Sequence, residues 1–156
     1  MEKVYIASYK SVRSGLTGLV NRIIRTLDKT EFSHSEICIG NPLEGVVACY
    51  SASGVDHGVR VKMMQVDPEH WEVLELPYAK AEDIEALFDK TKGLPYDYMG
   101  VGRFAFPWML REHAVKYFCS EWAAEALKFE GAWRFSPATV RNAALTMGGL
   151  LVEKQG

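Results

Sequence analysis

The apolar positions change period several times along the chain. Val4-Tyr5-Ile6-Ala7-Ser8-Tyr9 is rich in β-branched and aromatic residues and reads as a strand, broken by the stretch Ser11 to Gly15. Leu16, Leu19, Val20, Ile23, Ile24 and Leu27 then recur at helical spacing, with Asn21, Arg22 and Arg25 on the opposite face, which predicts an amphipathic helix. Four strands are expected next: Ser33 to Ile39, closed by Gly40-Asn41-Pro42; Val46 to Ser51; Val59 to Met63, after a turn-like stretch; and Glu72 to Leu76, stopped by Pro77. The connections are short enough for hairpins, so the sheet should be antiparallel. Ala81 to Lys92 sets Ile84, Leu87 and Phe88 on one helical face, and Gly93 ends it. After the aromatic-rich Leu94 to Leu110, a helix is expected to open at Cys119-Ser120-Glu121. Another starts at Ser136-Pro137, an N-cap followed by proline, and runs to about Leu145. The pattern is α+β, with helices segregated around a central antiparallel sheet.

Composition narrows the class. The chain has 156 residues, the size of one domain, 1–156. Hydrophobic residues at 48% and charged residues at 24% are ordinary for a globular protein and argue against disorder. A net charge of −2 provides no basic field for nucleic acid. Three scattered cysteines do not make a secreted disulfide framework, and no apolar run approaches a membrane span. The N-terminal MEKVYIASYK has no signal-peptide core. The expectation is a soluble cytoplasmic protein; a virion or lysis-released location fits the same features.

Two residues carry candidate chemistry. Cys119 falls where a helix is expected to begin. There a thiolate is favoured by unpaired backbone amides and the positive end of the helix dipole, and the same amides can receive an oxyanion. The competing reading is a buried thiol acting as a small hydrophobe. His34 opens an expected strand between two serines, and an imidazole can take a thiol proton near neutral pH. His57, His70 and His113 fall in loop-like or flanking sequence and read as surface residues. His34, Cys38, Cys49 and His57 are soft ligands within a short stretch, but their spacing fits no zinc pattern, and no metal or other cofactor is expected. The glycines form neither a phosphate loop nor a dinucleotide fingerprint.

The order of Phe32-Ser33-His34-Ser35-Glu36-Ile37, Gly93-Leu94-Pro95-Tyr96-Asp97-Tyr98, Phe118-Cys119-Ser120-Glu121 and Ser136-Pro137-Ala138-Thr139 resembles the circularly permuted branch of the NlpC/P60 superfamily, the papain-like cysteine hydrolases. The likeness runs from about Val4 to Leu145. It implies a papain-like fold with Cys119 as nucleophile and His34 as general base. A third, polar residue on the next strand would orient the imidazole. Related sequences often have a glutamate there, and this chain has Ser51, which can bond a ring N–H but brings no charge to an imidazolium. Glu36 shares a strand face with His34 by alternation and is the substitute. Tyr96 and Asp97 match the segment that borders the substrate groove.

The resemblance further implies attack by the Cys119 thiolate on an amide, an acyl-enzyme, and hydrolysis by water activated by His34. The implied substrate is the amide of a cell-wall peptide, and the chain is similar to small phage-encoded members. Two alternatives stand beside this. One is a lipid acyltransferase or thioesterase of the same superfamily, with Gly100 to Leu110 admitting an acyl chain. The other is a non-catalytic binding or virion protein that keeps the fold, which the serine at position 51 favours. Either enzyme would take a peptide or acyl small molecule.

Overall fold

Residues 2–11, 30–96 and 118–153 are described in a computed structural model of the chain. The helix expected over Leu16 to Leu27, Asp97, the apolar segment Gly100 to Leu110 and His113 lie outside the described residues.

The β-branched and aromatic runs form strands β1 (Val4–Tyr9), β2 (His34–Ile39), β3 (Val47–Ser53), β4 (Gly58–Met64) and β5 (Trp71–Glu75), and a short β6 (Leu150–Val152) follows near the end of the chain. Every neighbouring pair is antiparallel, in the order β4-β3-β2-β1-β5-β6. The consecutive hairpins β2-β3-β4 build one half of the sheet. The chain then returns to pair β5 with the free side of β1, leaving β1 central, and every residue of β1 is buried. A central strand covered on both faces has no polar side to show, which is why VYIASY reads as a nearly unbroken apolar run.

Strand alternation assigns the faces. On one, Val4, Ile6, Ile37, Ile39, Tyr50 and Leu74 pack with Ile84, Trp122, Ala123 and Val140 in the larger core. These last four come from three helices, α1 (Ala81–Thr91), α2 (Cys119–Ala126) and α3 (Pro137–Thr146). Trp122 anchors the layer: fully buried, it donates its indole N–H to the Thr91 hydroxyl at 2.9 Å, tying α2 to the end of α1. Ser136 caps α3 through a capping box with Thr139, and Pro137 is its first helical residue. On the opposite face, Tyr5, Ala7, Tyr9, Cys38, Cys49, Trp71 and Val73 form a smaller core under Leu43 and Val66.

One glycine fixes the approach to the site. Gly58 has φ 145, and a Cβ there would overlap the Leu94 carbonyl oxygen. That contact lets Val59 donate to Leu94 at 2.9 Å and Gly93 donate to Val59 at 3.0 Å, so Leu94, Pro95 and Tyr96 are held against the start of β4. Among the described residues, no helix is long and apolar enough to cross a membrane.

Candidate active site

His34 is the first residue of β2 and Cys119 the first of α2. The register puts His34 on the face of the smaller core, opposite Tyr9, whereas Cys119 belongs to the helix-covered face. At the end of the sheet, side chains of opposite faces can meet past the strand terminus, and Cys119 lies near enough to the His34 imidazole to raise its affinity for a proton. Its ring nitrogen Nε2 lies 2.7 Å from Glu36 Oε1, so Nδ1 is the nitrogen left to serve a nucleophile. The ring stands edge-on to Trp71 at 6.2 Å between centroids, and Trp71 in turn packs edge-on to Tyr9 at 5.0 Å. Trp71, itself braced by Tyr9, and the Glu36 carboxylate thus restrict the orientation of the imidazole.

Glu36 is 1% exposed, and a carboxylate so buried needs strong partners. Arg60 supplies them as a fork: Nη1 donates to Oε2 at 2.6 Å and Nη2 to Oε1 at 2.5 Å. Arg60 Nε donates to Asp56 at 3.0 Å, which fixes the guanidinium from its far side. The result is a line of alternating charge, Asp56–Arg60–Glu36–His34, ending at the Cys119 sulfur. Burial alone would raise the Glu36 carboxyl. The hydrogen bonds and charges of Arg60 and His34 outweigh it and hold the group at about 2. Burial would likewise lower the His34 imidazole. The charge and hydrogen bond of Cys119, reinforced by Glu36, push it up to about 9. The protonated imidazolium is therefore the favoured form of His34 at neutral pH.

Ser51 lies on the same face and pairs with Arg60 across β3 and β4. Its hydroxyl donates to the Ser35 carbonyl at 2.6 Å and to Ala52 at 3.3 Å, not to the ring. The orienting contact expected of Ser51 is made by Glu36. The physical reason is reach. Glu36 stands two positions along the same strand from His34 and has a longer side chain, whereas the short Ser51 side chain is taken up by the neighbouring backbone. Tyr96 is buried and packs its ring against Phe118, the residue before Cys119, at 5.8 Å between centroids. Through Phe118 it adjoins the start of α2.

Arg60 was not among the residues singled out by sequence. No local pattern joins it to Glu36, from which it is separated by 24 positions. The signal available was hairpin arithmetic. With Ser53 opposite Gly58 at the turn, Ser51 falls opposite Arg60, and Glu36 is the next acidic side chain on that face of β2. On the helix-covered face at this end of the sheet, Ser8 and Ser35 sit directly opposite one another. Together with Ser33 they bury hydroxyls that have no partner among the described residues, so this part of the sheet presents polar atoms beneath the helices.

Of the other candidate ligands, Cys38 and Cys49 face each other and His57 is exposed in the β3-β4 turn. Asp67, Glu69 and His70 cluster on the surface. No protein-family model matches the chain, and no curated protein matches it in sequence.

Proposed function

We propose that the protein is a cysteine hydrolase that cleaves an amide bond through a Cys119–His34–Glu36 triad. The observation that carries this reading is one imidazole bonded at 2.7 Å to a buried, ionised carboxylate, with its proton affinity raised by a thiol at a helix start. A general base needs its proton acceptor at the nucleophile and its tautomer fixed from behind.

The chemistry follows from the geometry. The proton of the thiol rests on His34 Nδ1, and the Cys119 sulfur attacks the substrate carbonyl carbon. Negative charge moves to the carbonyl oxygen, in front of the first turn of α2, where the N-cap Phe118 contributes no side-chain hydrogen bond and the backbone amide of Cys119 is a natural donor. The imidazolium then protonates the leaving amine, and the C–N bond breaks to give a thioester. Neutral His34 next takes a proton from water, whose oxygen attacks the thioester carbonyl and releases the acid and the thiolate. Glu36 stays ionised throughout and stabilises the imidazolium formed on each half-cycle. The charge that a neutral Ser51 would not have supplied is thus available from Glu36, which weakens the case for a non-catalytic relic.

The likeness to the permuted NlpC/P60 pattern, a papain-like fold, supports a cell-wall peptide as the substrate class. The test is turnover of a panel of peptidoglycan peptides and acyl thioesters, with mass spectrometry of the acyl-enzyme on Cys119. Amide cleavage lost in Cys119→Ser supports the reading. Turnover of acyl thioesters alone moves the activity to acyl transfer. A Cys119 that alkylates no faster than a free cysteine and forms no adduct refutes hydrolysis.

A further inference from the structure

Cys38 and Cys49 are direct register partners across β2 and β3. Both are fully buried free thiols, and their sulfurs are 2.8 Å apart, nearer than two sulfurs packed merely side by side. Facing residues of an antiparallel pair have Cα atoms about 4.5–5.5 Å apart. That lies inside the window of about 4.4–6.8 Å that a disulfide spans. The backbone already has the spacing, so closing the bond needs only small side-chain rotations. The pair also adjoins the charged row. Cys38 follows Glu36 on the same face of β2, and Arg60 Nη1 reaches the Cys49 carbonyl at 3.5 Å.

We propose that Cys38 and Cys49 are a cross-strand disulfide site, closed when the chain folds in the presence of a small-molecule disulfide such as oxidised glutathione, which locks β2 to β3 beside Glu36. Because both sulfurs are buried in the native fold, the first exchange takes place on the unfolded or locally opened chain. One cysteine thiolate attacks the small disulfide, forms a mixed disulfide and expels one thiolate. The second cysteine attacks the protein sulfur of that mixed disulfide and expels the other thiolate. The two cysteine protons end on the two released thiols, so the pair loses two electrons and the small disulfide gains them. The register gives this pair its advantage over any pairing with Cys119, which lies on a helix on the other face of the sheet. The inference rests on register and the sulfur contact alone and stands whether or not Cys119 turns over a substrate.

The experiment is refolding of the reduced, denatured full chain in glutathione buffers from fully reducing to strongly oxidising, followed by acid quench, alkylation, intact mass and peptide mapping. The same series on Cys119→Ser removes exchange through the third thiol. The expected result is a species lacking two hydrogen atoms, with the peptides of Cys38 and Cys49 linked and Cys119 alkylated. Its melting temperature should be about 5–10 °C above that of the reduced protein. The shift should be absent when the Cys38→Ser, Cys49→Ser double variant is taken through the same buffers. Both thiols alkylated in the strongly oxidising buffer, or disulfides spread among all three cysteines in the wild-type chain, would overturn the proposal. If Cys119→Ser does not fold, the linkage map of the wild-type chain decides it.

Discussion

On one face of the sheet, Ile6, Ile37, Tyr50 and Leu74 lie under Trp122 and its neighbours, and contact is made by many apolar atoms at once. Near the end of the other face, Glu36 and Arg60 meet through two hydrogen bonds and His34 adds a third. The two regions should therefore fail differently. A trimmed apolar side chain loses contacts in proportion to the atoms removed. A removed charge leaves its partner buried and unpaired, at a cost out of proportion to its size. The helix-covered face holds the fold together, while the charged row fixes a protonation state, at the place where the two faces meet at Cys119.

The largest effect expected is on turnover. Cys119→Ser should abolish amide hydrolysis, with a loss of at least about a thousandfold, while the melting temperature moves by only a few degrees, since serine nearly matches the thiol in size. Progress curves and calorimetry on the same preparation check both halves. Loss of fold together with activity would make Cys119 a core residue and end the contrast.

Next comes Glu36→Gln. The neutral amide keeps most of the shape but gives His34 no negative charge, and turnover should drop roughly a hundredfold or more. The pH profile separates this from a packing defect. In the wild type, activity should fall on the alkaline side near pH 9, where the imidazolium, raised to about 9, gives up its proton. Without the Glu36 charge that limb should move to lower pH. An unmoved limb would assign the high value to the sulfur alone.

How much of this was visible in the sequence depends on the range of the interaction that makes each part. Strands β1 to β5 and the helices at Ala81, Cys119 and Ser136 announce themselves through side-chain period, turn residues and caps, all local. Strand β6 does not. Leu150-Leu151-Val152 is too short to show alternation, and it is a strand because β5 offers it an edge. His34 and Cys119 could be named from their positions at element starts and the family pattern. Glu36 was reachable from alternation. Arg60 was reachable only through hairpin arithmetic, because its place depends on the register of two successive hairpins and each turn must be located first.

A stability measurement tests the two faces directly. Arg60→Ala should cost about 3–5 kcal/mol, because Glu36 loses both guanidinium bonds while remaining buried. Ile37→Val should cost only about 1 kcal/mol. The acid limb carries the same information. Glu36 is held at about 2, below its ordinary 4.5. Its contribution is therefore complete above pH 4.5 and is lost as pH falls from there through about 2. His34 has the opposite sign: raised from 6.5 to about 9, it contributes fully below pH 6.5 and loses that contribution as pH rises through about 9. Urea titrations across pH should therefore show a plateau between roughly pH 5 and 6 that Arg60→Ala flattens. If Arg60→Ala and Ile37→Val cost the same, the charged row is solvated and the comparison fails.

The smallest effect is expected at Ser51. Its hydroxyl donates to the Ser35 carbonyl and does not touch the imidazole, so Ser51→Ala removes one buried hydrogen bond from the β2-β3 pair and nothing from the His34–Glu36 pair. Stability should fall by about 1 kcal/mol. Turnover should stay within about twofold, because Glu36 still holds Nε2 at 2.7 Å. Ser51→Glu would bring a second carboxylate next to Arg60, its register partner, and should compete with Glu36 for the guanidinium, not assist His34. Turnover should then fall and the alkaline limb should shift. Measured side by side, the two variants decide whether position 51 orients the imidazole: a tenfold loss in Ser51→Ala, or a gain in Ser51→Glu, would return that role to this strand and take it from Glu36.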